Sequence, residues 1–205
     1  PNKPRDVLRG LRQEKSIVAH DARSGELLWK HESGRIMPYT LKADDHQVVY
    51  HDGKRVQSRE LRTGEKRWAS PPTGQSVEYR DRANPDSPGA EESTIIIAPQ
   101  LAPTMMLYRD VVAFAGGRQI NVLSAKDGSE LWRGTYGASN YSVPVDMFGL
   151  DGLIWGPGTE MNLWRPRDDF LTYYGYNPHA GKTQKKAKGQ YATRFQHHRC
   201  CHMTA

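Results

Sequence analysis

The sequence lacks the features that mark most enzymes and membrane proteins. No stretch approaches the about 18 to 20 consecutive apolar residues of a membrane-spanning helix, and no secretory signal pattern is visible in this segment. Phosphate-binding loops, dinucleotide fingerprints and Ser-His-Asp signatures are missing, so the sequence identifies no catalyst. The 205 residues include only two cysteines, which excludes a disulfide-rich scaffold.

The composition favours short strands and turns. Hydrophobic residues make up 37% of the chain and the mean hydropathy is −0.77, while 19 glycines and 13 prolines are spread along it. Frequent turn residues disfavour long helices. The length is sufficient for one or two domains with a core.

The net charge of +6 comes from the C-terminal part of the chain. Residues 182–205 hold six basic residues and no acidic residue, so the rest of the chain is neutral. A basic segment attracts nucleic acid or anionic surfaces. No nucleic-acid-binding motif accompanies it, and we expect solvated lysines that bind no specific nucleic acid.

One local pattern occurs three times. The stretches DARSGELLWK (21–30), LRTGEKRW (61–68) and AKDGSELW (125–132) each place a tryptophan four residues after a glycine. A shift of 64 residues aligns 48–68 with 112–132 without a gap. A fourth, degraded copy at 174–185 has Gly181 in the glycine position and Lys185 in the tryptophan position. The chain is therefore predicted to be a repeat protein.

Each copy predicts a β-hairpin. An alternating apolar strand leads into a turn that ends in glycine, the residue that accepts positive φ, and a second strand carries the tryptophan. Burying one such side chain removes about 150–250 Å² from water. These residues are predicted to dock each hairpin on its neighbour, and a ligand-stacking tryptophan platform is the alternative. The predicted docking residues are Gly25, Trp29, Gly64, Trp68, Gly128 and Trp132.

Further short strands precede the hairpins. Apolar stretches at 46–53, 110–117 and 151–158 indicate one strand each, and weaker ones lie around 38–42, 104–108 and 143–147. A unit of four strands and about 40 residues matches one blade of a β-propeller.

The hairpin stretches resemble the PQQ-like repeat of quinoprotein alcohol dehydrogenases and of BamB-type outer-membrane assembly factors. That repeat has the pattern small–x–Asp–x–x–Thr/Asn–Gly–x–x–x–Trp. The closing HHRCCHMTA resembles a segment of large planctomycete-type propeller proteins. The residues that match the repeat pattern are Ala19, Asp21, Gly25 and Trp29; Glu60, Thr63, Gly64 and Trp68; and Ser124, Asp127, Gly128 and Trp132.

The resemblance implies an all-β fold of four-stranded antiparallel propeller blades, about four units in an incomplete ring. We expect a single propeller segment over 1–205, with blade units at about 15–70 (two hairpin repeats), 94–135 and 143–187. Residues 71–93 are an expected insertion, and residues 182–205 a basic tail. The remaining blades are expected to belong to the same full-length chain.

The resemblance implies two alternative functions. The first is a non-catalytic, periplasmic or otherwise extracytoplasmic scaffold that uses no cofactor and binds a protein, a polymer or a carbohydrate through its blade faces. The second is part of a PQQ-dependent quinoprotein oxidoreductase, similar to an alcohol or sugar dehydrogenase, that holds PQQ and Ca²⁺. Neither alternative identifies catalytic or cofactor-binding residues.

Two groups of residues are candidates for other chemistry. The histidines and cysteines near the C-terminus are of the types that bind zinc or copper, but their spacing fits no established zinc pattern, so we expect no metal site. The adjacent cysteines are similar to the vicinal pair of quinoprotein alcohol dehydrogenases but lack that family's flanking residues, so a structural or free-thiol role is expected. The metal-ligand candidates are His197, His198, Cys200, Cys201 and His202. Turn or surface roles are expected for the acidic candidates Asp21, Asp44, Asp45, Glu60, Asp168 and Asp169.

Overall fold

The computed structural model describes residues 15–37, 39–73, 104–116, 119–135, 147–157 and 172–188, and in these ranges the chain forms only strands and turns. The strands are β1 (Lys15–His20), β2 (Leu27–Gly34), β3 (Lys42–Ala43), β4 (Gln47–His51), β5 (Val56–Glu60), β6 (Lys66–Ala69), β7 (Thr104–Tyr108), β8 (Val111–Gly116), β9 (Gln119–Ser124), β10 (Glu130–Thr135), β11 (Phe148–Leu150), β12 (Leu153–Pro157), β13 (Thr172–Tyr176) and β14 (Thr183–Lys188).

The strands form four antiparallel sheets in chain order. Sheet 1 consists of β1 and β2, and sheets 2, 3 and 4 consist of β3–β6, β7–β10 and β11–β14. Within each sheet every strand pairs with the next one along the chain. Among the described strands, none joins sheet 1 to sheet 4. This arrangement confirms the predicted all-β class and its four-stranded antiparallel units.

The core lies between consecutive sheets. Ile17 and Trp29 of sheet 1 pack with Val48 and Tyr50 of sheet 2. Similar apolar clusters join sheet 2 to sheet 3, and sheet 3 to sheet 4. The central strand β8 is buried from both sides, as its uninterrupted apolar sequence VVAFA requires. Sheets 2 and 3 therefore each present one face to the sheet before them and the other to the sheet after them.

One predicted strand begins later than expected. The strand expected around 38–42 begins only at Lys42. Most of the strand expected at 143–147 lies outside the described residues, and the next described strand, β11, begins at Phe148. The strand expected at 151–158 is β12, which contains Trp155. Most of the expected insertion, from residue 74 onward, lies outside the described residues, as does the apolar stretch 94–98.

Candidate functional site: the sheet junctions

The four hairpin turns have the same backbone structure. In each, the turn glycine donates its N–H to the carbonyl of the residue four positions earlier, over 2.8–3.0 Å. That earlier residue in turn donates its N–H to the carbonyl of the residue after the glycine, over 2.8–2.9 Å. The glycines are Gly25, Gly64, Gly128 and Gly181, with φ values of 74°, 72°, 75° and 65°. The degraded fourth copy has therefore kept its turn although Lys185 replaces the tryptophan.

A side chain at the start of each turn accepts backbone hydrogen bonds. Asp21 Oδ1 accepts from the N–H groups of Arg23 and Ser24, at 2.9 and 3.0 Å. Glu60 and Asn177 act in the same way in the second and fourth turns. These backbone hydrogen bonds, from Ser24 and Thr63 first of all, hold the pKa values of Asp21 and Glu60 below their usual range. Both acids thus close turns, and Asp44 caps the β3–β4 turn similarly.

Each tryptophan of the repeat covers the glycine turn of the next sheet. Trp29 on β2 lies over Gly64, where an added Cβ would be 2.6 Å from the indole Cδ2. Trp68 on β6 lies over Gly128 in the same way. Trp132 on β10 lies over Gly181, where an added Cβ would be 2.7 Å from the indole Cδ2. Any side chain at these glycines would overlap a rigid ring, which glycine alone avoids.

The indole nitrogens bind one equivalent carbonyl in each turn. Trp29 Nε1 donates to Leu61 O at 2.8 Å, Trp68 Nε1 to Ala125 O at 3.0 Å, and Trp132 Nε1 to Pro178 O at 2.7 Å. Each acceptor lies three residues before the turn glycine. The same two contacts, ring over glycine and N–H to carbonyl, therefore connect sheet 1 to 2, sheet 2 to 3 and sheet 3 to 4.

Two junctions carry additional polar contacts that the sequence does not indicate. Gln47 Nε2 donates to Ala125 O at 3.1 Å, beside the tryptophan, and Gln47 Oε1 accepts from Ser58 Oγ at 2.6 Å. Between sheets 3 and 4, the Tyr108 ring lies directly on Gly149, and its hydroxyl accepts the Gly152 N–H at 3.0 Å. These residues are specific to their junctions, since no repeat pattern identifies them.

A buried histidine lies at the junction of sheets 2 and 3. The His51 ring is 1% exposed and stacks on Phe114 of sheet 3, with centroids 4.2 Å apart and planes at 6°. Its Nδ1 accepts the Gly53 N–H at 3.0 Å, so Nε2 carries the proton and lies 3.0 Å from Thr73 Oγ1. Burial lowers the pKa of His51 to about 4, partly opposed by the charge of Asp52. The ring is held neutral as a packing residue.

The same junction contains an unpaired amide. Asn121 on β9 is fully buried, and among the described residues neither its Oδ1 nor its Nδ2 has a hydrogen-bond partner. It pairs across the sheet with Phe114, the residue on which His51 stacks. Burying an amide without partners costs free energy.

The remaining acidic, histidine and cysteine candidates from the sequence form no metal or catalytic cluster among the described residues. Asp45 lies in an exposed turn. In the described ranges, no three His, Cys, Asp or Glu side chains converge as a metal site would require. Asp168 and Asp169, together with the candidates His197, His198, Cys200, Cys201 and His202, lie outside the described residues.

Four repeated hairpins, each linked to the next by an indole and a glycine turn, define a protein built from propeller blades. A protein-family model described as outer membrane protein assembly factor BamB matches residues 13–146, well over half of the chain. The chain belongs to this family of PQQ-like repeat proteins, which confirms the resemblance found in the sequence.

Solved structures show the same fold. BamB from Moraxella catarrhalis superimposes with a TM-score of 0.53 and 13% identity, over 84% of this chain and 42% of that one. Quinohemoprotein alcohol dehydrogenase from Comamonas testosteroni gives a TM-score of 0.51 and 14% identity, over 85% of this chain and 32% of that one. The chain thus spans less than half the length of either protein. No curated protein sequence matches it significantly. None of the described residues lies in a helix able to cross a membrane.

Proposed function

We propose that the chain is a non-catalytic propeller scaffold that binds a protein, a polymer or a carbohydrate through its blade faces, outside the cytoplasm. The observation that carries this proposal is the family match over residues 13–146 to a model described as an assembly factor. The extracytoplasmic location rests on the same resemblance.

The structural roles of the polar side chains support a scaffold function. Asp21, Glu60 and Asp44 close turns, and Gln47 and His51 hold junctions between sheets. A catalytic site instead gathers titratable groups with perturbed pKa values around one cleft. In the described part of the molecule these groups are distributed among separate turns and junctions.

Two exposed apolar side chains at one edge of sheet 2 support partner binding there. Tyr39 and Leu41, in the connection from β2 to β3, are 69% and 48% exposed. Because β2 runs away from its glycine turn, this connection lies at the sheet edge opposite the turns, together with the β4–β5 turn. Exposed tyrosine and leucine side chains grouped together are typical of interaction surfaces.

Site-specific photo-crosslinking tests this surface. A photoreactive residue replaces Tyr39 in the parent protein expressed in its own host, and the matched control replaces Lys66, an exposed residue of the outer strand β6. We expect discrete adducts from position 39 and none from position 66. Equal adducts from both positions, or none from position 39, would contradict binding through this face.

The alternative, a PQQ-dependent oxidoreductase, is tested separately. Among the described residues no three His, Cys, Asp or Glu side chains converge, and Cys200 and Cys201 lie outside the described residues. Purified parent protein is titrated with PQQ and Ca²⁺ and followed by absorbance and dye-linked alcohol oxidation. Stoichiometric PQQ uptake with oxidation would replace the scaffold proposal by this alternative.

A further inference from the structure

The connection from β2 to β3 holds a tyrosine in an unfavourable backbone conformation. Tyr39 has a φ of 62°, in the left-handed region that residues with a Cβ rarely adopt. Its side chain is 69% exposed, so burial of the ring does not offset that cost. The neighbouring residues are fixed: Met37 donates its N–H to His51 O at 2.9 Å, and the fully buried Thr40 donates its hydroxyl to Met37 O at 2.7 Å. Strained residues concentrate at binding sites, and here the strain holds an aromatic ring at a fixed position in solvent.

This connection lies against the β4–β5 turn. The Arg35 side chain covers Gly53, where an added Cβ would be 2.8 Å from the Arg35 Cδ. Residues 34–37, 39–42 and 52–55 therefore form one continuous surface, at the edge of sheets 1 and 2 that lies opposite the glycine turns. We call this surface the Tyr39 edge.

The Tyr39 edge carries a net positive charge. Its one acidic residue, Asp52, already accepts three hydrogen bonds: Oδ1 accepts from the N–H groups of Lys54 and Arg55 at 2.8 Å each, and Oδ2 accepts from Gln57 Nε2 at 2.6 Å. None of the four basic residues forms an ion pair with a described residue. These basic residues are Arg35, Lys42, Lys54 and Arg55.

The opposite edge of the same two sheets has the opposite charge. The turns at 21–26, 44–46 and 60–65 contain six acidic residues and two basic ones. An anionic partner is therefore attracted to the Tyr39 edge and repelled from the glycine-turn edge. The exposed ring of Tyr39 and the 48% exposed side chain of Leu41 add an apolar contact that an anion alone does not use.

We propose that the Tyr39 edge docks an acidic segment of a partner protein. Carboxylates of the segment face the lysine and arginine side chains, and one of its apolar side chains packs on Tyr39 and Leu41. Because the turn already fixes the ring, docking loses little conformational entropy on this side of the contact. The inference rests on the proposed scaffold function and adds the chemistry of the partner.

A peptide titration of the unsubstituted chain tests the surface directly. The probe is acetyl-Glu-Leu-Glu-Phe-Glu-Leu-Glu-amide, and the comparison peptide has glutamine in place of every glutamate. Backbone amide resonances are followed by NMR. We expect shifts confined to the Tyr39 edge, about tenfold weaker binding of the glutamine peptide, and weaker binding of the probe as salt rises. Absence of shifts, or equal binding of both peptides, would overturn the proposal.

Two substitutions separate the apolar contact from the charge. Tyr39→Gly removes the ring, and since glycine accepts positive φ the variant should be at least as stable to urea as the unsubstituted chain. It should nevertheless bind the probe about tenfold more weakly. Lys54→Glu reverses one exposed charge of the edge and should weaken binding to a similar degree. Arg62→Glu is the matched control, an equal charge reversal on the opposite edge, and should leave binding unchanged. Unaltered binding by Tyr39→Gly or Lys54→Glu would contradict the docking mode.

Photo-crosslinking from position 39 in the parent protein distinguishes this inference from the scaffold function. Protease-sensitive adducts should disappear with Lys54→Glu and persist with Arg62→Glu. Adducts that persist with Lys54→Glu would leave the scaffold function standing and refute the acidic segment. With no adducts at all the scaffold function fails, and the peptide titration still decides the chemistry of the edge.

Other occupants would give different results. A heparin oligosaccharide that binds this edge more tightly than the probe, and equally well after Tyr39→Gly, would indicate an anionic polymer instead of a protein segment. Glu91 and Glu92 lie outside the described residues, in the stretch that follows Thr73. Probe binding that becomes about tenfold tighter when both are changed to glutamine would assign the edge to the chain's own acidic residues. Either result would replace the proposal.

Discussion

Gly128→Ala and Gly25→Ala place the same methyl group on the same backbone conformation in different surroundings. The two glycines have φ values of 75° and 74°, and their turns share the same hydrogen bonds. An added Cβ at Gly128 would overlap the Trp68 ring, whereas at Gly25 it would meet no described atom within 4 Å. The difference between the two effects on stability therefore measures the contact between indole and turn.

The expected magnitudes follow from two separate costs. An L-residue in the left-handed region costs about 1–2 kcal/mol, so Gly25→Ala should lower the free energy of unfolding by about that amount. Gly128→Ala incurs the same cost and adds overpacking of about 1–3 kcal/mol. The Trp68 ring is rigid and is held by its hydrogen bond to Ala125 O, so it cannot move aside without losing that bond.

Urea unfolding followed by circular dichroism measures both variants. A double-mutant cycle with Trp68→Ala then isolates the contact, since removal of the ring should reduce the cost of Gly128→Ala to that of Gly25→Ala. The coupling energy should be about 1–3 kcal/mol. Equal costs for the two glycines in the unsubstituted background, or a cycle without coupling, would refute the close packing of indole on turn.

Three further substitutions or conditions test the junction of sheets 2 and 3. Trp68→Ala should lower the free energy of unfolding by about 3–5 kcal/mol in urea titrations, whereas a loss below about 1 kcal/mol would contradict its docking role. His51 has a folded pKa of about 4 against an ordinary 6.5; the unfolded chain therefore takes up the proton first, and stability should fall by about 3 kcal/mol as pH drops from 6.5 to 4. His51→Gln should remove most of this slope, and a slope that persists would locate the titration elsewhere. Asn121→Leu removes two unpaired buried atoms and should raise the melting temperature, with about 1–2 kcal/mol of added stability; a lower melting temperature would indicate that the amide is satisfied.

The hairpins could be predicted from the sequence because their determinants are local. A glycine that takes positive φ and a tryptophan four residues later lie within one turn and one strand, so the pattern is visible without knowing what the indole contacts. Lys185 could be recognised as the degraded tryptophan position for the same reason. The sequence predicts turn or surface roles for Asp21 and Glu60. In the structure both side chains cap turns.

The junction residues could not be predicted because their partners lie far along the chain. His51 meets Phe114, and Gln47 meets the carbonyl of Ala125, across two different sheets. No residue pattern distinguishes such a buried histidine from an exposed one before the packing of the sheets is known. The short strand β11 carries little alternation in its three residues, and its pairing with β12 determines its position.

The stability of a repeat array is the sum of the stabilities of its units and of the interfaces between neighbours. Here each interface between described sheets contains the same contact, in which the indole of one sheet packs on the glycine turn of the next. The two halves of this contact are independent of each other, because a sheet can have the glycine turn without the tryptophan. Sheet 4 is an example, with Gly181 in its turn and Lys185 at the tryptophan position. A substitution at a tryptophan position therefore removes one interface while leaving the hairpin intact.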